Sequence, residues 1–104
     1  MIKETSFGRA IAEARKGLDK SQKELAALIK KEDGEAITPQ YLNDIEHDRR
    51  SPSSDHLIDQ FAKVLNMETD YLYFLAGRLP HDVRGRPLTP DRVSKLMMAF
   101  RKKG

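Results

Sequence analysis

The chain has 104 residues and no cysteine, and its formal net charge is +3. This length allows one domain with a modest core, and the absence of cysteine excludes a disulfide framework and a thiolate nucleophile. Because the three histidines are too widely spaced for a zinc site and no apolar run approaches the roughly 18 residues that span a bilayer, we expect a cytoplasmic protein without metal, cofactor or membrane contact.

The charge is unevenly distributed along the chain. Residues 78–104 carry a net charge of +6, whereas residues 1–77 carry −3. A phosphate backbone responds to the cations on one face of a protein and not to the average over the molecule. Net charge alone therefore does not predict nucleic-acid binding, and only the local placement of cations can indicate it.

Apolar residues at helical spacing predict a first helix from about Ser6 to Lys16, with Gly17 placed to end it. Its inward side chains are expected to be Phe7, Ile11, Ala14 and Leu18. A second helix is predicted to begin after Ser21, which forms a capping-box pattern with Glu24 three residues later. Its inward stripe is expected to be Leu25, Leu28 and Ile29.

The third predicted helix begins at Thr38 and Pro39, because threonine is a good N-cap and proline suits the first helical position. At about 100° per residue, Leu42 and Ile45 share an inward face. The opposite face carries Gln40, Asn43, Asp44 and His47. Amides and short polar side chains on an exposed helix can pair with base edges in the major groove, so this stretch suggests DNA recognition.

Two further helices complete a five-helix pattern. The fourth carries Leu57, Ile58, Phe61, Ala62 and Leu65, and Asn66 is expected to close it in a left-handed conformation. The fifth is predicted from about Glu68 to Ala76, with Leu72 and Leu75 inward and Gly77 as its stop.

Residues 78–88 contain two prolines, a glycine and three arginines, which favours an extended or turning connection over a helix. Thr89 and Pro90 then repeat the opening of the third helix. A sixth, amphipathic helix follows with an apolar stripe of Val93, Leu96, Met97 and Phe100. This stripe can fold back onto the five-helix body, or it can pair across a dimer axis or with another protein. No alternating run predicts a strand, so the class is all-α.

Taken together, these features resemble the phage-repressor-like (XRE) helix-turn-helix family, the five-helix DNA-binding domains related to phage repressors and Cro proteins. Between about Phe7 and Gly77, the matching residues are Gln22, Leu25, Ala26, Ile37, Thr38, Leu42, Ile45, Glu46, Arg50, Pro52, Ser53, Leu65 and Leu72. The resemblance implies a homodimer on a two-fold operator of double-stranded DNA, with the third helix in the major groove. It also implies that Gln22 and the residues around Arg49 and Arg50 hold phosphates.

The sequence departs from the family pattern at two places. The connection over residues 30–36 is several residues longer than the usual tight turn. The second helix can run on to about Lys31 with Gly34 ending it, Lys30 and Lys31 can reach the DNA backbone, or the segment can be a solvated loop. The loop is favoured, because its three acidic residues oppose phosphate. Asp48 stands where the family commonly has glycine, and aspartate tolerates a left-handed conformation better than most residues.

The base-reading candidates are Gln40, Asn43 and Asp44. An amide can donate and accept at once and so form a bidentate pair with adenine. Asp44 can instead accept from cytosine N4 or orient a neighbouring glutamine or arginine.

The phosphate-binding candidates are Gln22, Thr38, Tyr41, Arg49 and Arg50. Three of these have competing structural roles, since Thr38 can be only a helix cap, Tyr41 can simply pack and Arg50 can pair with Glu46. Candidates for accessory DNA contacts are Lys30, Lys31, Arg84 and Arg86, although a solvated linker is the favoured interpretation for the last two.

The sequence therefore predicts a helix-turn-helix domain over residues 1–77, a basic linker over 78–88 and an amphipathic helix over 89–104. The resemblance makes a homodimeric repressor the leading hypothesis, and nothing in the sequence suggests an enzyme. A second hypothesis is an antitoxin or interaction protein that binds a partner through its C-terminal region and regulates its own operon. A non-specific nucleic-acid binder is disfavoured, because phosphate binding alone needs no amides on the third helix.

Overall fold

The computed structural model describes residues 5–102. Its elements in that range are all helices, with no strand among them. The helices are α1 (Phe7–Gly17), α2 (Gln22–Leu28), α3 (Pro39–Glu46), α4 (Asp55–Leu65), α5 (Thr69–Leu75), α6 (His81–Arg84) and α7 (Pro90–Arg101). The all-α prediction is confirmed. Residues 1–4 of the predicted first domain and residues 103–104 of the predicted last helix lie outside the described range.

Short polar side chains fix where the helices start. Ser21 and Glu24 form the complete capping box at α2, with each side chain bonded to the backbone N–H of the other residue. Thr38 and Thr89 cap α3 and α7, because each side chain accepts a hydrogen bond from the backbone N–H of the third residue of its helix, Tyr41 or Arg92. These caps satisfy donors that have no partner inside the helix, so the predicted starts are confirmed.

The helix ends also follow the sequence predictions. Asn66 closes α4 with a φ of 56°, and Gly77 follows α5 with a φ of 74°, as expected. Gly17 ends α1 as its last helical residue, and the left-handed residue after this helix is Asp19, with a φ of 57°. Aspartate tolerates this conformation better than most residues.

The hydrophobic core lies between α1, α3, α4 and α5, with α2 packed against α3. Ile11, Leu25 and Phe61 are completely buried, and the ring of Phe7 meets that of Phe61 edge to face, with 6.0 Å between the ring centroids. Two predicted inward residues are wrong, because Leu18 is 47% exposed and Leu28 is 44% exposed. Leu18 is the C-cap of α1 and Leu28 is the last residue of α2, and the completely buried Ile29 follows Leu28.

The connection between α2 and α3 is a small hairpin rather than a continuation of α2. Lys30 and Ala36 form an antiparallel bridge, and the Lys31 N–H donates to the carbonyl of Glu35 at 2.8 Å. Gly34 has a φ of 89°, which glycine adopts without steric cost, so it makes the turn of the hairpin. The extension of α2 to Lys31 is wrong, and the choice between a solvated loop and a DNA contact by Lys30 and Lys31 stays a prediction.

The segment after α5 contains one short helix that the sequence did not predict. The turn α6 forms where an extended or turning linker was expected. Asp55, at the start of α4, forms ion pairs with Arg78, which precedes this turn, and with Arg84, which is its last residue. The hydrogen bond from Arg84 is the main cause, and that from Arg78 a further cause, of a pKa of the Asp55 carboxyl below its ordinary value. Residues 78–84 are therefore attached to the helical body.

The last helix, α7, does not complete the core. All hydrophobic residues of the described chain that are fully buried lie between Phe7 and Tyr73. In α7, Val93 is 36% exposed and Phe100 is 67% exposed, and the ring of Phe100 stacks on the exposed ring of Phe74 in α5. The C-terminal stripe thus contacts the five-helix body at Phe74 without completing its core, and pairing across a dimer axis or with another protein stays a prediction.

Candidate nucleic-acid interface

Helix α3 presents a polar face to solvent while its apolar face is held by α1 and α2. Leu42 and Ile45 are completely buried, whereas Gln40 is exposed, and Asn43 and Asp44 are half-buried. Since apolar burial is the dominant favourable term in folding, these two anchors fix the rotation of α3 about its axis. The sequence-predicted base readers therefore lie on the outward side of a helix that cannot rotate freely.

The carboxylate of Asp44 joins Gln40 to the arginines that follow α3. Its Oδ1 accepts from Gln40 Nε2 and from Arg49 Nε, each at 3.1 Å. Its Oδ2 lies 3.6 Å from Arg50 Nε. Arg50 thus pairs with Asp44 and not with Glu46, so the alternative in which Arg50 pairs with Glu46 is wrong. A carboxylate in this position orients the glutamine amide and both cations toward the same surface.

A buried ion pair lies beneath α3. The guanidinium of Arg15 donates to both oxygens of Glu46, at 2.7 Å from Nε and 3.0 Å from Nη2. Only 11% and 3% of the two side chains are exposed. The hydrogen bond to Glu46 raises the pKa of Arg15, although burial acts in the opposite direction. Sequence reasoning missed this pair, because its partners are 31 positions apart.

The amide of Gln22 connects α2 to the same ion pair. Its Nε2 donates to Asn43 Oδ1 at 3.0 Å and to Glu46 Oε1 at 2.9 Å. Both hydrogens of this NH₂ group are thereby directed at α3. A phosphate contact by Gln22 stays a prediction. Because its side-chain amide donates to α3, the backbone N–H of Gln22 at the start of α2 is the better donor to a phosphate oxygen.

Tyr41 occupies the border between the polar face and the core. Its ring packs against the core cluster, and the guanidinium carbon of Arg50 lies 5.8 Å from the ring centroid. Its hydroxyl accepts from the backbone N–H of Ser53 at 3.1 Å. This leaves the hydroxyl hydrogen as a donor, so packing by the ring and a phosphate contact by the hydroxyl are compatible.

Asp48 has a role that the sequence did not indicate. It adopts a φ of 58° after α3, and its carboxylate accepts from Ser6 Oγ at 2.6 Å and from the backbone N–H of Gly8 at 3.0 Å. A carboxylate at the first turn of α1 is favourable for the helix dipole. The residue that replaces the family's glycine therefore links the end of α3 to the start of α1.

The accessory candidates are distributed differently. Lys30 and Lys31 are exposed in the hairpin before α3. Arg84 is held by Asp55, and Arg86 is exposed beyond α6. DNA contacts by these four residues stay predictions, as does a dimer or partner contact through Val93, Leu96, Met97 and Phe100.

Comparison with known proteins identifies the family. A family model described as helix-turn-helix matches residues 11–72, which is more than half of the chain and includes all of α2, α3 and α4. No curated protein and no solved structure matches the chain. None of the helices between residues 5 and 102 is long and apolar enough to cross a membrane. The chain belongs to the helix-turn-helix family related to phage repressors and Cro proteins, and it is a DNA-binding transcription regulator.

Proposed function

We propose that the protein is a homodimeric repressor that reads an inverted repeat in double-stranded DNA with α3 in the major groove. The observation that carries this proposal is the bonded set on the exposed face of α3, in which Asp44 holds Gln40 beside Arg49. An amide that reads a base and a cation that neutralises a phosphate have to be presented together, because phosphate contacts set the register in which bases are read. Such a regulator acts on its operator in the cytoplasm.

Base reading is assigned to Gln40, Asn43 and Asp44, and phosphate binding to Gln22, Thr38, Tyr41, Arg49 and Arg50. Gln40 is the leading base reader, because it is the most exposed of the three and its side chain is the longest amide on the face. Asp44 contributes through orientation of its neighbours, since a carboxylate facing the groove by itself repels phosphate.

The proposal is tested by in vitro selection of bound duplexes from a random DNA pool at near-physiological salt, where non-specific phosphate binding is weakened. We expect an enriched inverted repeat whose half-site spacing reports the dimer geometry. A folded protein that enriches no motif would contradict sequence-specific readout.

Substitutions on α3 separate base reading from phosphate binding. Gln40→Ala is expected to relax the preference at one base pair of each half-site, with a loss of about 1–3 kcal/mol of discrimination. Arg49→Ala is the matched comparison and is expected to weaken binding to all sequences alike, with a salt dependence flatter by about one contact. Titrations of the selected duplex and of a shuffled duplex measure both effects. Equal losses on the two duplexes from Gln40→Ala would count against base reading.

One observation favours a second function, that of an antitoxin or other partner-binding protein that regulates its own operon. The apolar stripe of α7 is exposed, with 47% exposure at Leu96 and 43% at Met97. An exposed stripe of this kind suits a partner helix as well as a second copy of the chain. Monomeric protein at concentrations that saturate DNA would favour this alternative over the homodimer.

A further inference from the structure

The hairpin between α2 and α3 is fixed in place rather than loosely solvated. Its own bonds include Lys31 N–H to the Glu35 carbonyl and Gly34 N–H to the Lys31 carbonyl, at 2.8 and 2.9 Å. Two side chains of α4 hold its base, because Gln60 accepts from the N–H of Lys30 and His56 bonds to the carbonyl of Lys30, both at 3.0 Å. The position of the hairpin relative to α4 is thus determined by bonds to both backbone groups of Lys30.

This placement brings Lys31 to the edge of an open notch beside α3. The polar residues that line the notch are Lys31, Thr38, Tyr41, Arg50, Ser51 and Ser53. The lining contains two cations and several hydroxyl groups, and no carboxylate is among the described residues that line it. The three acidic residues of the hairpin do not line it, and the carboxylate of Asp33 accepts from the N–H of Glu35 within the turn.

The two charged side chains that line the notch, Lys31 and Arg50, are both cations. Asp44 faces Arg50 at 3.6 Å, but the same carboxylate is 3.1 Å from Arg49, so one negative charge is shared between two arginines. Cations flanking hydroxyl donors are the groups that proteins use to hold the phosphate oxygens of DNA.

We infer that the notch holds one backbone phosphate of the operator and that the long hairpin serves to bring Lys31 to it. The inference rests on the proposed function and adds a contact that a tight turn between α2 and α3 would not supply. In this arrangement Lys31 and Arg50 both pair with the phosphate, while the hydroxyls of Thr38, Ser51 and Ser53 are available as donors. Lys31 contributes affinity and register, and it carries no base preference.

The test compares Lys31→Ala with Lys30→Ala in the full chain. Both substitutions remove one exposed lysine from the same hairpin, but only Lys31 lines the notch. Binding to the selected duplex and to a shuffled duplex of equal length is measured over a series of salt concentrations. Lys31→Ala is expected to weaken both complexes by roughly three- to tenfold and to reduce the log–log salt slope by about 0.9 per protomer. Lys30→Ala, at a residue that does not line the notch, is expected to reduce the slope by less than Lys31→Ala does.

The outcomes distinguish this inference from the proposed function. If the unaltered protein binds specifically and Lys31→Ala leaves the salt slope unchanged, the inference that the notch holds a phosphate is wrong. The repressor proposal is then unaffected. Equal losses from Lys30→Ala and Lys31→Ala also overturn it, because net charge then explains the effect. If the unaltered protein binds neither duplex, the proposed function is wrong, and so is the inference that the notch holds a phosphate.

Discussion

Alanine at position 8 is expected to disrupt the packing of α1 against α3 more than any other single-methyl change. A Cβ atom on Gly8 would lie 2.1 Å from the carbonyl oxygen of Ile45 and 2.8 Å from that of Glu46. Both obstacles are backbone atoms, so no side-chain rotation can relieve the overlap. Gly8→Ala is therefore expected to lower the free energy of unfolding by more than about 3 kcal/mol, at the upper end of overpacking effects.

Thermal and urea unfolding measure this effect, and Gly17→Ala supplies the matched control in the same helix. A loss of about 3 kcal/mol corresponds to a decrease in Tm of more than about 12 °C for a domain of this size. No atom lies within 4 Å of a Cβ placed on Gly17, so alanine there is expected to raise stability by up to about 1 kcal/mol. Similar melting temperatures for the two variants would show that α1 and α3 can separate at little cost.

Gly8 also illustrates which parts of the fold the sequence could predict. The start of α2 was predictable, because Ser21 and Glu24 satisfy each other's backbone groups within four residues. The burial of Leu42 and Ile45 was predictable from spacing alone. The requirement for glycine at position 8 depends on a helix that begins about thirty residues later, and a local pattern contains no such information.

The exposed ends of α1 and α2 show the same limit. Leu18 and Leu28 continue the apolar spacing of their helices, yet both are exposed at a helix end, although Ile29 beside Leu28 is completely buried. Periodicity assigns a face to a residue but cannot say how far along the helix the neighbouring elements extend. The turn α6 was missed for a related reason, since the ion pairs of Asp55 with Arg78 before it and with Arg84 at its end are tertiary contacts.

At the candidate interface, the outward face of α3 was predictable and its bonding was not. The amide of Gln40 and the carboxylate of Asp44 are one helical turn apart, so their contact follows from helix geometry. Arg49 and Arg50 come after α3 has ended, where the direction of the chain is set by the left-handed Asp48. The selection of Asp44 rather than Glu46 as their partner follows from the burial of Glu46 against Arg15.

That buried pair leads to the second large effect, which is expected from Glu46→Ala. Removing the carboxylate leaves the guanidinium of Arg15 buried with only the carbonyl of Lys20 as a remaining partner, at 2.8 Å from Nη1. An unpaired buried charge costs far more than the net value of the pair, so the free energy of unfolding is expected to decrease by about 3–5 kcal/mol. Gln22 also loses one of its two acceptors.

The double variant Arg15→Met, Glu46→Met distinguishes the cost of an orphaned charge from the cost of lost packing. Because both charges are removed and apolar volume is retained, its unfolding free energy is expected to lie closer to that of the unaltered protein than to that of Glu46→Ala. Glu13→Ala, at an exposed position of α1, is expected to change stability by less than about 0.5 kcal/mol. Urea unfolding measures all three variants. If the double variant is as unstable as Glu46→Ala, the pair contributes through its shape and hydrogen bonds to Gln22 and Lys20, and the unpaired charge is not the cause.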